Sequence, residues 1–378
     1  MFLRIIAASL TITMSFVVEA ASPVCQYIEK ANIKTLPLES IADYVQHFVF
    51  EQSGVPALMI GISSDDERAV LSCGETKLNN GQRPALSTVW PVGSVSKVFT
   101  TDMLAKMVNR GDVKLNTSVN ELLGLSTEAE HPITLLDLAT HSSGFPRGLP
   151  TIPASDDYQI NQPYEMKEFL SWYPSFQRKP GTHYQYSNLG YGLLGQLLAK
   201  KMAKDYNGLL QELISEPLQL KDTTTSLNKE QAAREVSSYW MNGDLIRKDW
   251  EFKFEQPSGG IYSTMQDLMI FAQYQLGNKP KEQENARIAH ASYIYQNQFD
   301  NPLDFSKDAM ALGWSVDFPA QALPLRLTKN GWVDGVNTHI VLSPTKDIAL
   351  VSFTNKPYLN IETDLHRIIG MILNTRKN

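Results

Sequence analysis

The chain has 378 residues, of which 43% are hydrophobic and 20% are charged, with a formal net charge of −6. This is ordinary globular composition, and the length fits either one large core or two lobes. The mildly acidic balance, with no basic patch, argues against nucleic acid as a partner.

The first 21 residues have the pattern of a secretory signal peptide. Arg4 precedes an apolar run from Ile5 to Val18, and small residues follow, with cleavage expected after Ala20 or Ala21. A membrane anchor is the alternative, but a run of about 14 residues is shorter than the ~20 that span a bilayer. We therefore expect a periplasmic or secreted protein with no integral membrane segment after cleavage.

The chain contains two cysteines, Cys25 and Cys73. In an oxidising compartment they could form a disulfide, or they could remain two separate buried thiols. The sequence leaves both alternatives open. Neither cysteine belongs to a motif that indicates a nucleophile or a metal ligand.

Two predicted helices enclose a pair of predicted strands in the first third of the mature chain. Residues 38–52 are expected to be helical, and residues 96–111 place apolar side chains at amphipathic helical spacing. Residues 56–64 and 68–75 are rich in apolar and β-branched side chains and are separated by a polar turn, which predicts two strands.

The remainder divides into a mostly helical middle and a strand-rich end. Short helical runs alternate with loops, and residues 188–202 form the clearest helix. Residues 277–306 are polar and are predicted to be irregular surface structure. The chain then ends in three short strands at hairpin spacing and a helix, expected at 323–330, 337–344, 347–355 and 361–373.

Strands at both ends of the chain and helices between them predict an α/β (α+β) architecture. The simplest packing is one antiparallel sheet covered by the first and last helices, with a mostly helical lobe inserted. We expect one domain over residues 22–378, with a sheet lobe at about 22–110 and 308–378 and a helical lobe at about 111–307.

A serine followed three residues later by a lysine occurs at Ser94–Lys97, Ser226–Lys229 and Ser343–Lys346. Of these serines, Ser94 opens a helix with an apolar stripe. Side chains at i and i+3 share a helix face, so the Lys97 amine can reach the Ser94 hydroxyl. A lysine whose pKa is lowered by burial or a nearby cation can take the proton of a serine nucleophile.

Two further short patterns lie in suitable contexts. Tyr186 and Asn188 form a Tyr-x-Asn pattern in a glycine-flanked loop that enters an apolar helix. Lys329 and Gly331 form a Lys-x-Gly pattern at the end of a predicted strand. A glycine there would let a substrate approach the strand backbone closely.

In this order, the three patterns resemble those of the penicillin-recognising serine hydrolases. The specific resemblance is to class C β-lactamases and the related D-alanyl-D-alanine carboxypeptidase-endopeptidases, the low-molecular-weight penicillin-binding proteins. The segments "ITLLDLATHSSGFP", "SNLGYGLLGQLL" and "SGGIYSTMQDL" also look like segments of this family. The resemblance implies a β-lactamase/transpeptidase-like fold over nearly the whole mature chain.

The resemblance also implies roles for the residues of the three motifs. Ser94 would be the nucleophile that forms an acyl-enzyme, Lys97 its proton acceptor, and Tyr186 the proton relay to the leaving nitrogen and from the deacylating water. Asn188 would position the substrate amide, and Lys329 would hold a substrate carboxylate.

Further substrate contacts are implied near the ends of the cleft. The backbone N–H groups of Ser94 and Trp332 would form the oxyanion hole. Asn355, in "FTNKPY", matches an asparagine that lines the carboxylate end of class C enzymes.

Three departures from the family pattern weaken the case for an efficient β-lactamase. Asn330 replaces the hydroxyl residue between lysine and glycine, and the large Trp332 follows the glycine where small residues are usual. Arg147 stands roughly where class C enzymes use glutamine, and its charge suits an anionic peptide. It could equally be an ordinary surface arginine.

The seven histidines show no metal-binding spacing, and no cofactor is expected. His183, three residues before Tyr186, is interpreted as an ordinary loop histidine. We expect a monomeric exported hydrolase acting on D-Ala-D-Ala peptides of peptidoglycan. The alternatives are a class C-type β-lactamase and, less favoured, an esterase or a non-catalytic binding protein.

Overall fold

The computed structural model describes residues 25–126, 131–152, 163–177, 179–181, 183–246, 252–356 and 361–376. The predicted signal peptide at residues 1–21 lies outside these ranges, so its cleavage stays a prediction. Within these ranges, no helix has the length and apolar character needed to cross a membrane.

The strands of the described residues are β1 (Gln26–Ala31), β2 (Ala57–Ser64), β3 (Glu67–Gly74), β4 (Val89–Pro91), β5 (Tyr262–Thr264), β6 (Ile294–Tyr295), β7 (Ala309–Met310), β8 (Ser315–Asp317), β9 (Arg326–Val333), β10 (Val336–Ser343) and β11 (Ile348–Thr354). Nine of them form one antiparallel sheet in the order β1-β3-β2-β11-β10-β9-β8-β7-β6. The first three strands join the last three through the pairing of β2 with β11, which confirms a sheet built from both chain ends. β4 and β5 form a separate two-stranded pair.

The helices of the described residues are α1 (Leu38–Tyr44), α2 (Glu51–Ser53), α3 (Ser96–Arg110), α4 (Val119–Leu123), α5 (Leu135–Ala139), α6 (Met166–Trp172), α7 (Asn188–Lys201), α8 (Tyr206–Leu210), α9 (Glu216–Leu218), α10 (Lys229–Ala232), α11 (Gln256–Gly259), α12 (Met265–Gln275), α13 (Pro280–His290) and α14 (Glu362–Thr375). A π-helical segment, Val45–Phe50, joins α1 to α2. The sequence predicted a single helix over residues 38–52, whereas the structure has α1, the π-helical segment and the start of α2 there.

The two faces of the sheet carry different apolar clusters, because successive side chains of a strand point to opposite faces. On β2, Ile60 packs in a cluster with Ile41 of α1 and Ile368 of α14. Its neighbour Met59 packs in the larger cluster that contains Phe99 of α3. The first and last helices therefore cover one face, as predicted, and α3 packs against the other.

Helix α3 is buried almost all round, although its sequence predicts an amphipathic helix. Its residues from Ser96 to Met107 are buried. The polar side chains find partners on distant segments: Thr100 donates to the carbonyl of Pro257 at 2.8 Å, and Thr101 donates to that of Leu312 at 2.8 Å. These partners lie far away in sequence, so the helix pattern alone could not reveal the burial.

Residues 277–306 were predicted to be irregular, and this prediction is wrong. The segment contains α13, with Pro280 at its first turn, and the short strand β6. Proline is favoured at a helix start because its fixed φ suits the first turn and its missing N–H needs no partner there. The edge strand β1 was also not predicted. Cys25, just before β1, forms a disulfide with Cys73 of β3.

Candidate active site

Ser94 lies in a single 3-10 turn, Gly93–Val95, between β4 and α3. It therefore precedes the α-helix directly, and Lys97 is in the first turn of α3. The Nζ atom of Lys97 is 3.3 Å from Oγ of Ser94. The i, i+3 spacing thus brings the amine to the hydroxyl, as the motif predicts.

Lys97 is fully buried, and three oxygen atoms surround its amine. Besides Ser94 Oγ, these are Oδ1 of Asn188 at 2.8 Å and the backbone carbonyl of Ser258 at 2.6 Å. An uncharged amine has two N–H groups and one lone pair. It can donate to Asn188 and Ser258 and still accept the proton of Ser94.

The surroundings of Lys97 favour this uncharged form. Burial holds the pKa of its amine well below the usual range, and the nearby cation of Arg147 lowers this pKa further. Glu255 opposes the shift, since its negative charge would raise the pKa of Lys97. A buried lysine with a lowered pKa is suited to act as a general base near neutral pH.

The hydroxyl of Tyr186 reaches Ser94 from the loop before α7. It lies 2.7 Å from Ser94 Oγ. Two cations and the Lys97 amine surround its ring: Lys329 Nζ lies 5.3 Å, the Arg147 guanidinium carbon 5.4 Å and Lys97 Nζ 4.9 Å from the ring centroid. The site is therefore electropositive at the point where an oxyanion would develop.

Lys329 enters the site from β9, where it is 7% exposed. Burial lowers the pKa of its amine, Tyr186 opposes this shift, and the charge of Lys97 adds to it. Lys329 of the sheet therefore places a cation near the ring of Tyr186, the residue whose hydroxyl contacts Ser94. The motifs of Ser94, Tyr186 and Lys329 converge, as predicted.

Two glycines allow β9 to approach the turn that carries Ser94. Gly93 has φ +51°, and a Cβ atom there would lie 2.8 Å from the backbone nitrogen of Trp332. A Cβ atom on Gly331 would lie 2.1 Å from the carbonyl oxygen of Val92 and 2.9 Å from the Ser94 nitrogen. Gly331 was expected to make room for substrate. Instead, it makes room for the nucleophile's own turn.

The residues around Ser94 line an open cleft. Arg147 and Asn330 are exposed, and 47% of Trp332 is accessible. Trp332 thus lies at the cleft, in a position where the penicillin-recognising family usually has a smaller residue. The described cleft lining comprises Gly93, Ser94, Arg147, Asn188, Phe252, Ser258, Gly259, Trp332, Val333 and Asp334.

Asn355 has a different position from the one the family pattern suggested. It is fully buried, its Oδ1 accepts the backbone N–H of Ala57 at 2.8 Å, and its Nδ2 donates to the carbonyl of Ser237 at 2.8 Å. These bonds tie the start of β2 to a distant loop. The amide is therefore engaged with backbone groups and does not line the described cleft.

Three residues at the site were not identified from the sequence as participants. Ser258 contributes a backbone carbonyl, which has no side-chain signature. Glu255 is buried, its Oε1 accepts the hydroxyl of Tyr164 at 2.8 Å, and burial raises the pKa of its carboxyl to about 7. His141 packs against the ring of Tyr186. His141 lies in "ITLLDLATHSSGFP" and Ser258 in "SGGIYSTMQDL", and the likeness of these segments to the family was the sequence signal for both residues. Glu255 lies in neither segment.

The described residues contain one group of three potential metal ligands, Asp317, Glu362 and His366. Nζ of Lys307 lies 3.0 Å from Asp317 and 2.5 Å from Glu362. A lysine therefore already neutralises these carboxylates, and the ion pairs join β8 to α14. This group is poorly suited to hold a cation.

Comparisons with known proteins agree with this geometry. A family model described as Beta-lactamase matches residues 41–369. The D-alanyl-D-alanine-carboxypeptidase/endopeptidase AmpH of Escherichia coli (strain K12) is 31% identical over 332 residues, which cover 84% of each chain. A Beta-lactamase of Pseudomonas fluorescens is 24% identical over 350 residues, covering 86% of this chain and 95% of its own.

A solved structure is similar over the same region. The beta-lactamase/D-alanine carboxypeptidase from Yersinia pestis, complexed with citrate, has a TM-score of 0.76 and 26% identity, covering 88% of this chain and 97% of its own. The fold and family predicted from the motifs are confirmed. The chain belongs to the beta-lactamase family and is a hydrolytic enzyme.

Proposed function

We propose that this protein is an exported serine peptidase that hydrolyses the D-Ala-D-Ala end of peptidoglycan peptides through an acyl-enzyme on Ser94. The observation that carries the proposal is the position of Ser94 Oγ between Lys97 Nζ, at 3.3 Å, and the hydroxyl of Tyr186, at 2.7 Å. The name of the AmpH relative supports the choice of substrate. Peptidoglycan lies outside the cytoplasmic membrane, which agrees with the signal pattern at residues 1–21.

In the acylation step, Ser94 Oγ attacks the carbonyl carbon between the two D-alanines, and its proton passes to Lys97 Nζ. The backbone N–H groups of Ser94 and Trp332 hold the oxyanion of the tetrahedral intermediate. The C–N bond then breaks, and the hydroxyl of Tyr186 protonates the leaving nitrogen of the terminal D-alanine. The proton on Lys97 restores the phenol.

In the deacylation step, a water molecule attacks the ester carbonyl. Lys97 takes the phenol proton of Tyr186, and the resulting phenolate accepts a proton from this water. The C–O bond to Ser94 breaks, and Lys97 holds one proton. The proton then returns to Ser94 Oγ. The products are D-alanine and a peptide shortened by one residue with a new carboxylate.

Three side chains position the peptide. Oδ1 of Asn188 is bound to Lys97, which leaves the Nδ2 amino group to donate to a substrate carbonyl. Lys329 and the exposed Arg147 provide positive charge for the terminal carboxylate. Trp332 presents an exposed ring at the cleft, against which a peptide can pack.

A class C-type β-lactamase remains the second candidate, because a β-lactam can form the same ester on Ser94. The specific observation in its favour is the contact between Tyr186 and Ser94, which suits hydrolysis of that ester. The charge of Arg147 and the bulk of Trp332 favour the peptidase. A non-catalytic binding protein is less favoured, since Lys97 and Tyr186 both contact Ser94 Oγ, and an esterase is less favoured because the AmpH relative is named as a peptidase.

The experiment compares the wild-type protein with Ser94→Ala on three substrates: a purified disaccharide pentapeptide, cross-linked muropeptides and a chromogenic cephalosporin. We expect the wild type alone to release D-alanine from the pentapeptide and to cleave the cross-links. Rapid turnover of a chromogenic cephalosporin without D-alanine release would establish the β-lactamase instead. Failure of the wild type on all three substrates would overturn both candidates.

A further inference from the structure

His141 holds the chain on both sides of Tyr186. It is 1% exposed and has a backbone φ of 59°, in the left-handed region that is unfavourable for most side chains. Its carbonyl accepts the N–H of Gln185 at 2.9 Å, and its Nδ1 accepts the N–H of Ser187 at 3.0 Å. These two bonds fix the backbone from which the Tyr186 side chain projects.

The imidazole of His141 also packs directly against the ring of Tyr186. The two ring centroids are 4.4 Å apart with an interplanar angle of 31°. The ring of Tyr191 lies 4.9 Å from the same imidazole, and that of Tyr184 lies 6.0 Å from it. His141 therefore restricts both the backbone and the ring of the tyrosine that contacts Ser94.

The hydrogen bond from Ser187 requires His141 to be uncharged, because Nδ1 accepts only when it carries no proton. The hydrogen then lies on Nε2, which has no hydrogen-bond partner among the described residues. Burial holds the pKa of the imidazole well below its usual range, and the basic side chains of Lys329, Lys97 and Arg147 lower it further. The titratable groups that face it are Lys329, Lys97, Arg147, Tyr184, Tyr186 and Tyr191.

We propose that neutral His141 is the positioning residue that holds the Tyr186 hydroxyl in the geometry for proton transfer with Ser94. The inference rests on the proposed function in that Tyr186 must transfer protons. His141 touches no reacting atom and transfers no proton in the reaction. The left-handed φ of His141 belongs to the turn that ends α5, where the N–H of Ser142 donates to the carbonyl of Asp137 at 3.0 Å, and this turn fixes the position of the imidazole. A displacement of about 1 Å in such a site can cost about 10²-fold in rate.

The test measures the acylation rate of Ser94 by a penicillin in four proteins: wild type, His141→Phe, Tyr186→Phe and the double variant. His141→Phe keeps a ring but removes the acceptor, so we expect about a 10²-fold loss. Tyr186→Phe should lose about 10²-fold or more, since a positioned acid–base group contributes that much. In the double variant, the His141 substitution should cost nothing further.

An equal loss from His141→Phe in both backgrounds would overturn the proposal, since the effect would then not act through Tyr186. If His141→Phe does not fold, His141→Asn replaces it in the same cycle. Asparagine tolerates a left-handed backbone and retains an acceptor, so only the ring packing is lost, and about a 10-fold loss is expected. Unchanged acylation in the variant that folds would also overturn the proposal.

Two further measurements separate this inference from general stability and from the proposed function. His290→Asn changes a histidine of α13 that bonds to Gln275 at 2.9 Å, and it should leave acylation within about twofold. ¹⁵N NMR reads the tautomer of His141 without any substrate, and a hydrogen on Nε2 at pH 6 is expected. A protonated Nδ1 would overturn the inference, whereas an absent penicillin adduct on wild-type Ser94 would count against the proposed function.

Discussion

The hydroxyl of Tyr186 lies 2.7 Å from Oγ of Ser94, although 92 positions separate the two residues in sequence. A hydrogen bond therefore joins the loop before α7 to the turn before α3, and we propose that the two segments act as one proton-transfer unit. Asn188 strengthens the connection, since the first residue of α7 accepts from Lys97 of α3. The predictions below follow from this unit and from its electropositive surroundings.

Lys97→Met removes the proton acceptor of Ser94. We expect the acylation rate to fall about 10³-fold, since general base catalysis is lost. The matched control is Lys229→Met, which alters another Ser-x-x-Lys pair on the exposed face of α10 and should leave the rate unchanged. The rates are measured by stopped-flow with a chromogenic cephalosporin, and equal losses in the two variants would contradict the role of Lys97.

Gly331→Ala places a methyl group where the carbonyl oxygen of Val92 lies 2.1 Å away, so β9 must move from the Ser94 turn. We expect about a 10²-fold lower acylation rate, because both proposed oxyanion donors lie at this contact. Gly370→Ala in α14 is the control, since a Cβ atom there meets nothing within 4 Å. A normal rate in Gly331→Ala would show that the close approach is dispensable.

Arg147→Gln removes an exposed cation from the cleft and from the neighbourhood of Lys97. The pKa of Lys97 should rise, because one cause of its depression is removed. The acid limb of the pH–rate profile should therefore move to higher pH. The KM for an anionic peptide should also rise about fivefold, the effect of an exposed ion pair. Arg147→Lys, which keeps the charge, should retain the wild-type profile, and a shift in this variant would contradict the electrostatic explanation.

Glu255→Gln tests the buried carboxyl near Lys97. Burial raises the pKa of Glu255 from its ordinary value of 4.5 to about 7, and Tyr164, Lys97 and Arg147 oppose this shift. A raised carboxyl pKa gives stability that is complete below pH 4.5 and lost as pH rises through 7. Between pH 4.5 and 8 the group should therefore cost about 3 kcal/mol of unfolding free energy.

The glutamine variant should lack this decline, because it cannot ionise and can still accept from Tyr164. Urea denaturation at pH 5 and pH 8 measures the difference in both proteins. Parallel pH dependence in the wild type and the variant would show that Glu255 does not carry the effect.

The predicted parts of the site are those whose chemistry lies in side chains. Ser94, Lys97, Tyr186 and Lys329 each occur in a short motif, and the three motifs together indicated one cleft. The carbonyl of Ser258 could not be predicted, because any residue type supplies a carbonyl. Gly331 was identified for the wrong reason, since the turn that approaches it is distant in sequence.

The central strands of the sheet and the helices α3, α7 and α14 followed from local patterns, whereas other elements did not. Residues 277–306 appeared irregular because α13 carries few apolar side chains, although Pro280 marked its start. Helix α3 was predicted with an exposed face, but helices from distant segments cover it. Asn355 matched a family pattern in sequence, yet its side chain bonds to backbone groups of two other segments.

The central claim is that the hydroxyl of Ser94 becomes the acyl acceptor. Intact-mass spectrometry after a short penicillin pulse, followed by peptide mapping, tests it most directly. We predict one penicillin mass per chain, located on the peptide that contains Ser94 and absent from Ser94→Ala. An adduct that persists in Ser94→Ala, or that maps to another peptide, would contradict the account.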